Sequence, residues 1–368
     1  MNRRRIALVT GAGLFGGHFN QGVPALMELV TNLAQRHELH VFAGNLSSDA
    51  AKKSLNYKLQ RLPGRLRFPA ALASIAKAHA RKKFDLIHGF WGTAGGFYAV
   101  AAGKLLKVPS VVSLLGGEAA AVTEIGYGSM LSPRLASRLR WVCGQADAVT
   151  ALSNFQISRL QENGFDVTDI QRIPLGADNE KFAYSERQWS APWRFLHVAN
   201  INEVKDQVTL LRAFELIHRA ADAKLTIVGP DYLDGLLQTV AKDLNIAHRV
   251  KFAGAIPHSQ LPSYYRDAHV LLHSSLYESQ AVVALEAMAS GVAICATDVG
   301  MFADLKGECC VTVNCGDYEG LASSTLQLLQ DRARIQALVT NGRSWAELHS
   351  SNWTAEQYCR LYDSSVCV

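Results

Sequence analysis

Two glutamates with seven residues between them, Glu278 and Glu286, form the clearest chemical pattern in the chain. They sit in His273-Ser-Ser-Leu-Tyr-Glu278-Ser-Gln-Ala-Val-Val-Ala-Leu-Glu286-Ala-Met-Ala-Ser-Gly291. The apolar run 268–272 before them reads as a buried strand. Val282, Val283, Leu285 and Met288 then recur at helical spacing, and Gly291 reads as the C-cap. A second apolar run, 292–296, follows at once. The result is strand, loop, helix, strand, with one carboxylate in the loop and one about two turns inside the helix. A helix start offers unpaired N–H groups and the positive end of a dipole, so it suits an anion such as phosphate. Glu278, just before that start, can reach a group attached to the anion. Glu286 can accept hydrogen bonds from hydroxyls such as those of a ribose.

Other stretches hold chemistry of the same kind. Asn200-Ile-Asn-Glu-Val-Lys205-Asp precedes an amphipathic helix over 207–220. A cation at a helix start is disfavoured by the dipole, and an anionic ligand at that spot would resolve the conflict. Gly116-Gly117-Glu118 follows the strand-like run 109–115, and Lys224-Leu-Thr-Ile-Val-Gly229 is a strand ending in glycine. Gly11-Ala-Gly13-Leu-Phe-Gly16-Gly17 spells G-x-G-x-x-G. A dinucleotide fold needs that loop to open a helix directly and an acid to end the second strand. Here the loop runs on through Gly22 to a helix start near Val23-Pro24, and the second strand, 38–42, ends in Ala43-Gly44-Asn45. No nicotinamide or flavin cofactor is expected.

Glu-x7-Glu with Ala-Met-Ala-x-Gly after a strand resembles the donor-site signature of retaining, GT-B-fold glycosyltransferases, and most of all the large bacterial family 4. Gly22-Val23 before its helix is similar to the family's Gly-Gly-Val loop, and Pro174-Leu-Gly176-Ala-Asp178 to its Pro-x-Gly-x-Asp. The resemblance implies donor binding by Gly22, Gly17, Asn200, Lys205, Gly229, Ala255, Ile256, Glu278, Ser279, Gln280, Ala281, Val282 and Glu286. It implies catalytic roles for Glu278, Lys205 and Glu118. Gly254-Ala255-Ile256 stands where relatives hold the base. Two positions depart from the pattern. Ala199-Asn200 replaces Gly-Arg, so one of two diphosphate-clamping cations is missing. Leu115 stands where a His is usual, with His18 as a candidate substitute. No Asp-x-Asp occurs in the sequence, so no metal and no cofactor are expected.

These groups need rigid elements behind them. Strands and helices alternate in two blocks, which predicts an α/β protein of two Rossmann-like, doubly wound parallel-sheet domains facing across a cleft. The N-terminal, acceptor-side domain is expected over 1–180 and the C-terminal nucleotide-sugar donor domain over 190–350, with a polar linker at 179–193. A last helix, 353–362, is expected to pack back on the first domain. The 368 residues, 49% hydrophobic and 19% charged, suit two globular domains with sizeable cores. No apolar run reaches about 18 residues, and the seven cysteines form no framework.

Charge is uneven. Residues 1–180 hold 21 Lys and Arg against 12 Asp and Glu, while 181–368 hold 16 against 20. Clusters at Arg3–Arg5, Arg61/Arg65/Arg67 and Lys77/Arg81/Lys82/Lys83 suit an anionic membrane surface or a lipid-phosphate acceptor. No aromatic-basic interleaving points to nucleic acid. The expected protein is a cytoplasmic, metal-independent, hexosyltransferase-type enzyme, peripheral at the inner membrane face. It would move a sugar from a nucleotide-diphospho-sugar to a saccharide or lipid-linked acceptor in cell-surface glycan synthesis. Two alternatives remain open: a nucleotide-sugar epimerase of the same fold, and an inactive sugar-nucleotide-binding module.

Overall fold

A computed structural model describes residues 3–11, 23–44, 56–62 and 68–366. Gly16, Gly17, His18 and Gly22 lie outside these described residues. The chain divides into two compact units: residues through Leu175 together with Ser351 onward, and Gly176–Ser350.

Unit 1 is built on a parallel sheet of β1 (Arg5–Thr10), β2 (Glu38–Ala43), β3 (Lys58–Arg61), β4 (Leu86–Phe90), β5 (Ser110–Ser113), β6 (Ala148–Ala151) and β7 (Ile170–Arg172). The strand order is β3-β2-β1-β4-β5-β6-β7. β4 is buried at every position and β1 at all but its first, because helices cover both sheet faces. Helix Pro24–Arg36 opens on a proline, whose missing N–H costs nothing at that position. The last helix, Ser351–Val366, packs beside it and extends further at both ends than the expected 353–362. Its Tyr362 hydroxyl meets His88 Nδ1 at 2.7 Å, and its Tyr358 hydroxyl meets Ser113 Oγ at 2.8 Å. His88 Nε2 in turn meets Ser113 Oγ, and Thr150 joins the same group. All five side chains are fully buried, so this satisfied polar network ties the chain terminus to β4, β5 and β6.

Unit 2 repeats the plan with β8 (Trp193–Val198), β9 (Ala223–Val228), β10 (Val250–Gly254), β11 (Val270–His273), β12 (Ala293–Thr297) and β13 (Val311–Val313). The order is β10-β9-β8-β11-β12-β13, again all parallel. Strand order reverses between β8 and β11, and open α/β sheets bind ligands beyond the carboxyl ends of the strands at such a point. Helix Gln207–Ala220 has the bounds its periodicity predicts, with Asp206 capping it through Thr209 N at 3.3 Å. Leu210, Leu211, Phe214 and Ile217 bury its inner face completely, each worth about 1.5–3 kcal/mol.

Two expectations need correction. Residues 179–193 are not a free linker. Phe182 is buried against Tyr265, Arg187 donates to the carbonyl of Gly291, and β8 begins at Trp193. The N-terminal basic cluster is partly structural. Arg4 pairs with Asp363, and Arg5 and Lys82 both pair with Glu38.

Candidate active site

Glu278 stands in the loop after β11, 9% exposed. Its Oε1 takes three partners: Lys205 Nζ at 2.5 Å, His273 Nε2 at 2.8 Å and Ser275 Oγ at 2.8 Å. Oε2 has no hydrogen bond to the described residues. Burial works against ionisation, but the Lys205 ammonium and the His273 hydrogen bond outweigh it and hold the carboxyl far below its ordinary range. Burial lowers the His273 pKa, and because a carboxylate can only accept, the His273 Nε2–H donates to Glu278. Ser274 fixes the spacing, since its hydroxyl donates to the carbonyls of Lys205 and Asp206, both at 2.9 Å. Leu276 N adds a bond to Val204 O. The Lys205 and Glu278 loops are thus stitched together. Gly300 closes the far side: at φ +57°, a Cβ there would lie 2.7 Å from Glu278 Cβ.

Glu286 lies on helix Val282–Ala289, between β11 and β12. Its Oε1 accepts from His258 Nε2 at 2.7 Å and its Oε2 from the Tyr265 hydroxyl at 2.8 Å. Lys181 Nζ contacts His258 Nδ1 at 2.5 Å. An ammonium can only donate, so Nδ1 is the acceptor and the ring proton sits on Nε2, pointing at Glu286. A carboxylate offers about four lone-pair sites, so both oxygens of Glu286 keep capacity for further hydroxyl donors.

The other expected donor residues that the structure describes fall around these two carboxylates or on the strands beside them. Ser279 and Gln280 are buried, and Gln280 O accepts from Met301 N. Ala281 caps the helix start at φ +68°, a region costly to a side-chain-bearing residue, and Val282 opens the helix half-buried. Gly229, at φ +147°, brings the end of β9 so close to β8 that a Cβ would lie 1.7 Å from Ala199 O. Asn200 is exposed, and its carbonyl accepts from Gln207 at 2.9 Å. Ala255 and Ile256 are half-buried on the segment that delivers His258 to Glu286. Sequence reasoning gave no role to His258, Tyr265, Lys181, His273 or Ser275. His273 and Ser275 were within reach, lying five and three positions before Glu278. His258 and Tyr265 meet Glu286, and Lys181 meets His258, only through the fold.

Glu118, for which a catalytic role was expected, lies in the loop after β5. It is 2% exposed in unit 1 and spends both oxygens on backbone N–H groups: Gly92 at 3.0 Å and Leu115 at 3.3 Å on Oε1, Gly116 at 2.6 Å on Oε2. Burial pushes its carboxyl up, with those hydrogen bonds pulling the other way. Glu118 holds the loop after β5 against the Trp91–Gly96 turn. Among the described residues, no group of three or more His, Cys, Asp or Glu is placed to hold a metal ion. No described helix is long and apolar enough to cross a membrane.

Two parallel-sheet α/β units of the same strand order, with a cation and two carboxylates gathered beside β11, define the GT-B class of glycosyltransferase. The "Glycosyltransferase Family 4" model matches residues 25–181 and the "Glycosyl transferases group 1" model matches 192–331. The chain belongs to this group 1, family 4 set of glycosyltransferases. It is 28% identical over 364 residues to the N-acetyl-alpha-D-glucosaminyl L-malate synthase of Bacillus anthracis, covering 91% of each chain. It is 26% identical to the GDP-mannose-dependent alpha-(1-6)-phosphatidylinositol monomannoside mannosyltransferase of Mycolicibacterium smegmatis, covering 90% of this chain and 91% of that one. Among solved structures, Thermosynechococcus elongatus sucrose-phosphate synthase superposes with a TM-score of 0.81 at 21% identity, over 98% of this chain and 99% of that one. Anabaena HepE in complex with UDP gives 0.77 at 18% identity, over 98% and 100%.

Proposed function

We propose that this glycosyltransferase moves a hexosyl group from a nucleotide-diphospho-sugar to an acceptor hydroxyl, with retention at the anomeric carbon and without a metal. One observation carries the reading. At the switch point of unit 2, Glu278 keeps Oε2 unspent while Lys205 stands against Oε1. The breaking glycosidic bond leaves negative charge on the diphosphate, and a fixed cation is worth most where charge develops. Lys205 supplies it in place of a metal. The start of helix Val282–Ala289 adds its dipole. The incoming diphosphate competes with Glu278 for the Lys205 ammonium, and His273 and Ser275 keep Glu278 in place when Lys205 turns away. Glu278 Oε2 then accepts from a hydroxyl of the donor sugar. Glu286, aimed by His258 and Tyr265, accepts from the ribose. The acceptor attacks on the face the diphosphate leaves, and the leaving phosphate oxygen takes its proton.

The named activities of the relatives suit a mannosyl or N-acetylglucosaminyl donor and a small or lipid-linked acceptor. The excess of basic residues in 1–180 suits an acceptor presented at an anionic surface, with the enzyme in peripheral contact with it.

A thermal-shift panel of UDP, GDP, ADP and their sugar conjugates, with EDTA present, tests the donor half. Stabilisation by one nucleotide family, weakened in Lys205→Ala, is the expected result. No shift with any nucleotide would overturn the donor site. The anomeric configuration of the first product, read by NMR coupling, tests retention.

A further inference from the structure

Three helices of unit 1 lie side by side on one face of its sheet: Phe68–Arg81, Phe97–Leu106 and Pro133–Gln145. Together they hold six Lys and Arg residues (Lys77, Arg81, Lys104, Arg134, Arg138 and Arg140) and no Asp or Glu. None of the six makes an ion pair with a described carboxylate. Arg138 and Arg140 donate only to the carbonyls of Thr93 and Asn163. Several basic residues elsewhere in unit 1 are paired: Arg4 with Asp363, Arg36 with Glu356, and Arg5 with Glu38.

The same face is apolar. Every large hydrophobic side chain described as exposed in unit 1 lies on it or at its edge: Leu105 at 63%, Trp141 at 41% and Leu131 at 37%. Phe68, Tyr98 and Trp141 group around Phe97, with ring centroids 5.0–6.1 Å away, and the Arg138 guanidinium sits 4.6 Å over the Phe97 ring. Arg134, Arg138 and Trp141 follow one another at helical spacing along a single stripe. The exposed stripe of the first helix reads Pro69, Ala73, Lys77, Ala80, Arg81. An ordinary solvated helix face mixes both charge signs, and basic residues left without acids are repelled by one another. Exposed aromatic and aliphatic side chains interleaved with unpaired cations are what an interfacial surface presents to anionic lipid.

We propose that this three-helix face is the surface by which the enzyme docks on an anionic bilayer. Lys77, Arg81, Lys104 and Arg134 meet lipid headgroups there, and Trp141 and Leu105 enter the headgroup boundary. The inference deepens the acceptor half of the proposed function by naming the face. It rests on unit 1 alone, so it and the donor site in unit 2 fail separately.

The test is co-sedimentation of the full chain with phosphatidylglycerol/phosphatidylcholine vesicles and with pure phosphatidylcholine vesicles, at low and high salt. The expected result is binding to the anionic vesicles only, weakened by salt. Arg134→Ser with Lys77→Ser should lower the partition coefficient roughly tenfold or more, at about 1 kcal/mol per basic residue near the surface. Trp141→Ser should lower it further and remove the quenching of protein fluorescence by brominated acyl chains. Circular dichroism and the nucleotide-induced thermal shift should match wild type in each variant, which separates lost docking from lost folding. Binding that ignores lipid charge, or variants that bind as wild type does, would overturn the proposal. So would capture by heparin or RNA through the same residues without vesicle binding.

Discussion

Glu118 and Glu278 make an instructive pair. Each is a buried carboxylate in the loop after a parallel strand, β5 in unit 1 and β11 in unit 2, and each has three close hydrogen-bond donors. Glu118 draws its donors from backbone N–H groups and uses both oxygens. Glu278 draws them from Lys205, His273 and Ser275, all on Oε1, and leaves Oε2 unspent. The first is a closed arrangement that holds a loop. The second is open on one side and carries a cation that a ligand can take over. Burial and a shifted pKa mark both residues, so neither alone marks a site. The distinguishing feature is acceptor capacity left over beside a charge that can be shared.

Four experiments sharpen or break this contrast. The largest effect is expected at Lys205. Lys205→Ala should lower kcat roughly 10²–10³-fold, the scale of losing one charge-stabilising group. Steady-state kinetics with the donor identified by thermal shift would check it, and a near-normal kcat would remove Lys205 from the leaving-group role.

Glu118→Gln should act on stability. It weakens hydrogen bonds to a charged acceptor, worth about 1.5–3 kcal/mol each when lost. The melting temperature should fall while kcat of the folded fraction stays within a few-fold of wild type. A selective loss of kcat with an unchanged melting temperature would break the comparison.

The third concerns pH. His88 in unit 1 and His197 in unit 2 are fully buried, and burial lowers each to about 3. Their folded values lie below the unfolded value of about 6.5. The stability they lend is therefore complete above that value and declines as pH falls, because only the unfolded chain takes up the proton. By pH 5 the decline should reach about 2 kcal/mol per histidine. Denaturant melts between pH 7.5 and 5 should show the loss, reduced in His88→Gln if that variant folds. A flat profile would contradict both assignments.

The smallest effect is expected at Ala281. At φ +68°, Ala281→Gly should raise stability by up to about 1 kcal/mol, read as a shift in denaturant midpoint. A lower midpoint would show that the Ala281 methyl packs more than its backbone strains.

The candidate site divides along the same line between local and distant information. Glu278 and Glu286 were legible because strand, turn and helix periodicity surround them within one short stretch. Lys205 was legible because a cation at a helix start contradicts the dipole unless something anionic joins it. Helix Gln207–Ala220 and the Ser153 cap of helix Asn154–Glu162, made through Gln156 N, follow from patterns a few residues long. The weaker elements were not legible. β3 is four residues with no buried position, and β13 is three half-buried residues, so neither carries a strong apolar signal.

The sequence by itself determined the parallel α/β plan, the helix start beside Glu278 and the positions of both carboxylates, because each is written in neighbouring side chains. Only the tertiary structure decided what those carboxylates meet. His258 and Tyr265 converge on Glu286 from separate elements, Lys181 backs His258, and Glu118 is closed off by Gly92, 26 positions away. The same holds for the three-helix face. Its cations are scattered between Lys77 and Arg140, and its character rests on which acids the fold leaves out of reach. Local sequence fixes which groups are present and which element carries them. Whether a charge is paired, spent or free depends on contacts between residues far apart in the chain, and folding alone sets those distances.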